Sequence, residues 1–575
     1  MNARLAIVAL VAIQVIANLV VHPAGEFPLN DDWAFAHSAL WFATEHRVRL
    51  SSLSVMNLLP QTIVGGLAVA LAGFSFELLR HVTQSVALLA SVAAFAFFRV
   101  AAFSVRDAFV ATLVTLAMPS WLVLANSYMT DLYGFVLLLG ATAALVAGLS
   151  KPTSPLILAG ALLAALGALQ RQVVVVVPLA FLVASFFAWR GREPRRWIMA
   201  ALPLVVTAVS LVLYQEYLRH GPGLPEAQAA IHSRVGTMLL AALRDDPPGL
   251  RAYVGRNLAT VFGYLGWFAF GWFAWHAVPA TPRGVRLAIG AMCALAAVAA
   301  LAFGWLPPFQ SDNTIDRAGI GPFTLRGAIG NSAFAAADRS AGLVWPLAGL
   351  ATGAGFAALC VALLATARHV VARRRDADPV RVFVAAVLVA YLGPFVVTDY
   401  FDRYLLPMLP FVLVLWARAW PRAEPVAADS GPSSKPADGS PGQRRDRSLQ
   451  PTGGWVRTRQ AFALAWIGST LALSAAATHD YFAWNRARWA AIRDAESRGA
   501  TPDTIDGGYE YNGFYRYEAK DRGPTPGKSW WWVRDDVYVA AFAPLAGYEI
   551  ARRFPVERWL SRTPAEVLLL RRSGS

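Results

Sequence analysis

Residues 55–73, VMNLLPQTIVGGLAVALAG, decide how the whole chain is threaded. The run is long enough to cross a hydrocarbon core of about 30 Å. It also contains Pro60, Gly65 and Gly66. As a crossing helix it would turn every later arginine cluster outward. As a juxtamembrane or re-entrant pair of helical pieces on the outer side, it leaves those clusters in the cytoplasm, where Lys and Arg collect in polytopic proteins. Irregular backbone at that depth is tolerated only where it packs against protein. The non-crossing reading is adopted.

Outward from this segment the chain reads as membrane-embedded. Of its 575 residues, 56% are hydrophobic and only 15% charged, against roughly 25% charged in soluble chains. Mean hydropathy is +0.45. Apolar runs of span length lie near 4–22, 82–103, 107–125, 131–149, 155–171, 172–189, 197–217, 253–276, 286–306, 342–366, 381–398, 404–420 and 460–478. They predict an all-α polytopic bundle of about 13 transmembrane helices with an outer juxtamembrane segment. The first run, Leu5–Val21, has no clear cleavage site after it and is read as a retained helix.

Arginines set the sides. Arg190, Arg192, Arg195 and Arg196 form one cluster between spans, and Arg368, Arg373, Arg374, Arg375 and Arg381 another. Both are assigned to the cytoplasm, together with Arg99, Arg106, Lys151, Arg283, Arg286 and the basic linker 421–457. Loops 218–252 and 307–341 and the C-terminal region then fall outside, with the N-terminus cytoplasmic. A net charge of +15 is thus explained by orientation in a lipid bilayer, and nucleic acid is not an expected partner. Cys293 and Cys360 both lie inside apolar runs, so neither a disulfide framework nor a metal spacing exists. The predicted organisation is a bundle over 1–420, a disordered Pro/Gly/Ser-rich cytoplasmic linker over 421–457, a last helix over 458–478 and a small extracytoplasmic domain over 479–575.

Carboxylates near a bilayer carry a solvation penalty and point to function. Asp31 and Asp32 sit in LNDDWAFAH (29–37), and Asp131 in NSYMTDLYGF (126–135). The arginine count places all three at the outer surface, at the mouths of neighbouring helices. One aspartate there can take a proton from an acceptor hydroxyl; another can orient the attacking group or hold a divalent cation. The plainer alternative is that Asp32 and Asp131 only cap their helices. In VTDYFDRYLLPMLPF (397–411), Asp399, Asp402, Arg403 and Tyr404 meet at the outer end of a span. Arg403 there suits a phosphate group held in a bidentate fork, with snorkelling to the interface as the alternative. Arg171, in LQRQVVV (169–175), is a second outer-side arginine, or an ordinary loop charge.

An acidic pair after the first helix, a Thr-Asp at the start of a later one and the stretch Arg403-Tyr404-Leu405-Leu406-Pro407 with Pro410 resemble the GT-C membrane glycosyltransferases. That group includes the protein O-mannosyltransferases and the lipid A aminoarabinose transferases. The resemblance covers residues 1–420 in layout. It implies a GT-C-like fold, a polyprenyl-phosphate-linked sugar as donor and inverting transfer to a glycan, lipid or protein acceptor outside the membrane. It implies that Asp31 or Asp32 is the catalytic base and that Asp131 is a second acidic site, which holds a metal in some members. On that basis Mg or Mn could be held by Asp31 and Asp131. It also implies that Arg403, with Tyr404 and Arg171, faces the donor phosphate. The His-Pro-Pro pattern of many bacterial members is replaced by Leu59-Pro60-Gln61, a departure on the acceptor side. A transporter of a lipid-linked sugar is the rival class. It calls for ionisable residues lining a midplane path, whereas here they cluster at the outer ends.

The C-terminal region carries IDGGYEYNGFYRYE (505–518) and KSWWWVRDD (528–536). Such aromatics either stack on sugar rings or fill a small core. Gly507, Gly508 and Gly513 are read as turns, and Asp506 and Glu510 as surface polar contacts.

Overall fold

The computed structural model describes residues 1–152, 154–189, 193–276, 283–309, 314–316, 319–327, 341–373, 377–398, 400–420, 453–517, 532–533, 535–560 and 565–574. The chain is a helical polytopic membrane protein with a small mixed sheet near its C-terminus. Among the described residues nine helices are long and apolar enough to cross a bilayer: Ala3–Val21, Phe76–Val100, Asp131–Gly148, Pro194–His220, Pro247–Trp275, Gly284–Ala302, Val344–Ala372, Pro379–Val397 and Gly454–Ser497. Each corresponds to one of the thirteen apolar runs.

The other four runs are shorter or broken, so the count of thirteen is not reproduced. The run 107–125 divides into helices Val105–Leu116 and Trp121–Ala125. Pro119 lies in the gap, and its ring cannot continue a helix through its own position. The runs 155–171 and 172–189 become apolar helical stretches of 17 residues or fewer, Pro155–Gln170 and Gln172–Ala188. The run 404–420 opens as a 3-10 turn, Asp402–Met408, and only then becomes the helix Leu409–Ala419.

Residues 55–73 form one continuous helix, Leu59–Ala72, rather than a pair of pieces. Pro60 sits in its first turn, where the missing N–H would be unpaired in any case. The two glycines are contacts, not breaks. A Cβ on Gly65 would lie 1.9 Å from the Tyr128 hydroxyl, and one on Gly66 would lie 2.4 Å from the Phe42 ring. The helix packs along Asp32–Glu45. Its 14 residues rise about 21 Å, short of the hydrocarbon thickness.

The last long helix runs over Gly453–Ser497, 45 residues, or about 67 Å, more than twice the hydrocarbon core. It does not stop at residue 478, and its far end carries the C-terminal sheet. The strands are ordered Ile505–Asp506, Tyr538–Ala541, Ala565–Arg572, Tyr548–Val556, with the first pair parallel and the others antiparallel. Alternation of side chains along the strands sends Ala540, Val567 and Leu569 into the main core, while Val539, Ala541, Leu568 and Leu570 form a separate small one. The main core is continuous from the membrane helices into this region. The linker expected to be disordered falls, over 421–452, outside the described residues, as do Asp399, Arg190, Arg192, Arg374 and Arg375.

Candidate functional site

The loop between the first two helices is held from beneath by one arginine. Arg80, 2% exposed, donates to the carbonyls of Pro23, Gly25 and Phe27 at 2.8, 2.8 and 2.9 Å and to that of Asn126 at 3.1 Å. At the end of this loop Asn30 takes a left-handed conformation, φ 54°, which Asn tolerates better than most residues. The two following aspartates then diverge.

Asp32 turns inward. It is 3% exposed and accepts from the backbone N–H of Leu29 at 2.6 Å and of Tyr128 at 3.2 Å. It therefore ties the first loop to the turn before Asp131. Burial holds its carboxyl well above the usual aspartate range, against the opposing pull of the two backbone N–H groups and Arg80. Asp31 turns the other way. Its Oδ1 accepts from the Tyr509 hydroxyl at 2.7 Å, and its Oδ2 lies 3.4 Å from Arg403 Nη2. With a side chain 28% exposed, it is the more accessible of the pair.

Asp131 opens its helix but makes no capping bond. Its Oδ1 accepts from Arg171, and its Oδ2 lies 3.9 Å from Arg403 Nε. Arg171 stands at the C-terminal end of Pro155–Gln170 and Arg403 in the 3-10 turn; their side chains are 5% and 6% exposed. Arg171 is therefore not a loop charge, and Arg403 does not snorkel to water. Both guanidinium groups lie over the Tyr404 ring, at 5.0 and 5.4 Å, a cation–π geometry. Asp31, Asp131, Arg171, Arg403 and Tyr404 thus form one cluster drawn from four segments of the chain, and both acids lie within 4 Å of the same guanidinium.

Among the described residues, Asp131 Oδ2, Arg403 Nε and Arg171 Nε are buried without a hydrogen-bond partner. Among the described residues, no group of three His, Cys, Asp or Glu side chains is placed to hold a metal ion. The donor set itself disfavours Mg or Mn at Asp31 and Asp131: a guanidinium group already faces each carboxylate, so an incoming divalent cation would meet like charge.

Next to the cluster, Asp402 is fully buried and accepts from the Ile315 N–H at 2.7 Å. Burial raises its carboxyl from the usual 3.8 to about 6.

The C-terminal motif belongs to the site in a way its composition did not reveal. Glu510 and Asp506 are fully buried, not surface contacts. Glu510 accepts from Arg488 at 2.7 Å, from the Thr324 hydroxyl at 2.7 Å and from the Asn30 N–H at 3.0 Å. Asp506 accepts from the Gly508 N–H and the Asn512 amide. Several of the described aromatics pack together: the Trp33 ring is fully buried, with Tyr517, Trp532 and Tyr509 at 5.4, 5.7 and 5.8 Å, while Trp530 and Trp531 lie outside the described residues. Gly513 lies within the helix Tyr509–Arg516 rather than at a turn, and it is a close contact: a Cβ there would lie 2.5 Å from the Trp33 ring.

At Leu59-Pro60-Gln61, Gln61 donates to the Tyr128 carbonyl at 2.8 Å and accepts from the Gln170 amide at 2.8 Å. Sequence reading missed Arg80, Gln170 and Tyr509 as supports of the site. For Arg80, the signal was an arginine at the mouth of an apolar run.

Fold and site together describe a helical polytopic membrane protein with a buried acid–guanidinium cluster at the mouths of its helices. Among solved structures the chain is similar to ArnT from Cupriavidus metallidurans in the apo state, at 16% identity over 98% of this chain and 97% of that one, with a TM-score of 0.39. It is similar also to ArnT from the same organism bound to undecaprenyl phosphate, at 16% identity over 99% and 98% of the two chains, with a TM-score of 0.39. A third similar structure is the archaeal oligosaccharyltransferase AglB from Archaeoglobus fulgidus in complex with an inhibitory peptide and a dolichol-phosphate. There the identity is 12%, over 85% of this chain and 59% of that one, with a TM-score of 0.40. No protein-family model and no curated protein sequence matches the chain.

Proposed function

We propose that this protein is an inverting glycosyltransferase. It moves a sugar from a polyprenyl-phosphate donor to an acceptor hydroxyl on the outer face of the cytoplasmic membrane, with its N-terminus in the cytoplasm. The observation that carries the reading is the convergence of Arg171, Arg403 and Tyr404 on Asp31 and Asp131. Two buried guanidinium groups with unpaired Nε atoms suit a phosphate whose lipid tail remains in the bilayer. The motif-level resemblance to GT-C transferases agrees with it.

In this reading Asp31, the accessible member of the acidic pair, is the base. The acceptor O–H proton passes to Asp31 as the acceptor oxygen bonds to the anomeric carbon. The bond from that carbon to the phosphate oxygen breaks, and its electron pair leaves with the lipid phosphate. Arg403 and Arg171 stabilise the charge that develops there. Asp131 holds both arginines in place. Asp32 is a positioning residue that shapes the loop carrying Asp31. No step requires a metal ion.

The test is transfer of labelled sugar from polyprenyl-phosphate donors by the purified protein in liposomes, with Asp31→Asn and Arg403→Ala alongside. Transfer by the wild type that is lost in both variants supports the reading. Donor translocation across the liposome without product would replace it with a transporter.

A further inference from the structure

Residues 505–518 come from a region far along the chain from the cluster, yet Tyr509 reaches the carboxylate assigned as base. We infer that Tyr509 is a positioning residue that commits Asp31 Oδ1 and leaves Oδ2 as the proton-accepting atom. The inference rests on the reading of Asp31 given above and deepens it.

The Tyr509 hydroxyl donates to Asp31 Oδ1 at 2.7 Å. The other oxygen, Oδ2, faces Arg403 at 3.4 Å, beyond the usual hydrogen-bond length. One oxygen is therefore held, and the other is loosely engaged on the side where a phosphate would sit. A phenol donating to one carboxylate oxygen removes a torsional freedom from the side chain. Asp31 is thereby aimed.

Tyr509 is itself held firmly. Its ring packs on Trp33 and Trp532 at 5.8 and 5.6 Å. The next residue, Glu510, accepts from the Asn30 N–H and is paired with Arg488 of the last long helix. Farther along, Phe514 stacks on His37 at 4.6 Å. Successive turns of the helix Tyr509–Arg516 thus grip the Asp32–Glu45 helix and the residue before Asp31. The C-terminal region in this way completes the geometry of the base.

The test compares wild type with Tyr509→Phe, which keeps the ring and removes only the hydroxyl. Without that donor the carboxylate is no longer aimed, so kcat falls about tenfold, while KM for the lipid donor stays close to the wild-type value. An unchanged kcat, or a loss that appears in KM instead, would overturn the inference. If Tyr509→Phe does not accumulate, Gly513→Ala, which pushes the helix off Trp33, must show the same fall in kcat at unchanged KM, and an unchanged kcat there overturns it as well.

The contact itself is read without activity. Unfolding midpoints of Tyr509→Phe, Asp31→Asn and the double variant must be non-additive, and additivity would overturn the inference too. Absence of transfer by the wild type sinks the glycosyltransferase reading, whereas the unfolding cycle still decides the contact.

Discussion

Arg403 Nε lies 3.9 Å from Asp131 Oδ2, and neither atom has a hydrogen-bond partner among the described residues. The separation is too long for a hydrogen bond, and buried unpaired polar atoms are costly. On the glycosyltransferase reading proposed above, the donor phosphate would supply acceptors that Arg403 Nε and Arg171 Nε lack.

Arg403→Lys should therefore be far from conservative. The lysine keeps one charge but loses the planar fork. Transfer should fall by about 10²–10³, the loss typical of removing one donor aimed at developing negative charge. Initial rates with a polyprenyl-phosphate sugar check this, and a variant within threefold of wild type would refute it.

Asp31 and Asp32 should separate cleanly when each is changed to asparagine. Asp31→Asn should lose at least about 10²-fold in rate with unfolding shifted by less than about 1 kcal/mol, because the carboxylate is partly exposed. Asp32→Asn should lose about 1–3 kcal/mol of stability, since its amide would point a donor at the N–H of Leu29 or Tyr128. Unfolding and transfer measured on both variants decide it.

Asp402 should make stability depend on pH. Its carboxyl is raised by burial from 3.8 to about 6, so the folded chain holds its proton more tightly than the unfolded one. The stability it contributes is fully present below about pH 4 and is lost as pH rises through 6. Asp402→Asn should flatten that part of the profile of unfolding midpoint against pH. A profile unchanged by the substitution would contradict the assignment.

Arg80→Met should be among the most damaging changes outside the cluster. It strands the carbonyls of Pro23, Gly25, Phe27 and Asn126 and removes a charge placed near Asp32. A loss of about 3 kcal/mol or more is expected, with transfer reduced through misplacement of Asp31. Thermal unfolding in detergent, followed by rate measurement on the folded fraction, tests it.

The sequence by itself determined the membrane class, the positions of the long spans and the residues with charge to spare at helix mouths. Apolar length and the placing of charge beside apolar runs are local properties that the sequence records. That residues 55–73 hold one unbroken helix, Leu59–Ala72, with Gly65 and Gly66 seating Tyr128 and Phe42, was decided by contacts with distant parts of the chain. Tertiary structure alone separated Asp31 from Asp32. The two are adjacent and chemically identical, and what divides them is which partners lie opposite: Tyr509 and Arg403 for one, two backbone N–H groups for the other. It also converted Asp506 and Glu510 from surface residues into buried ones, because burial depends on what other segments bring to cover a side chain. Tyr509 stands 478 positions from Asp31. No local pattern encodes such a contact, and only the packing of the C-terminal helix on the Asp32–Glu45 helix creates it.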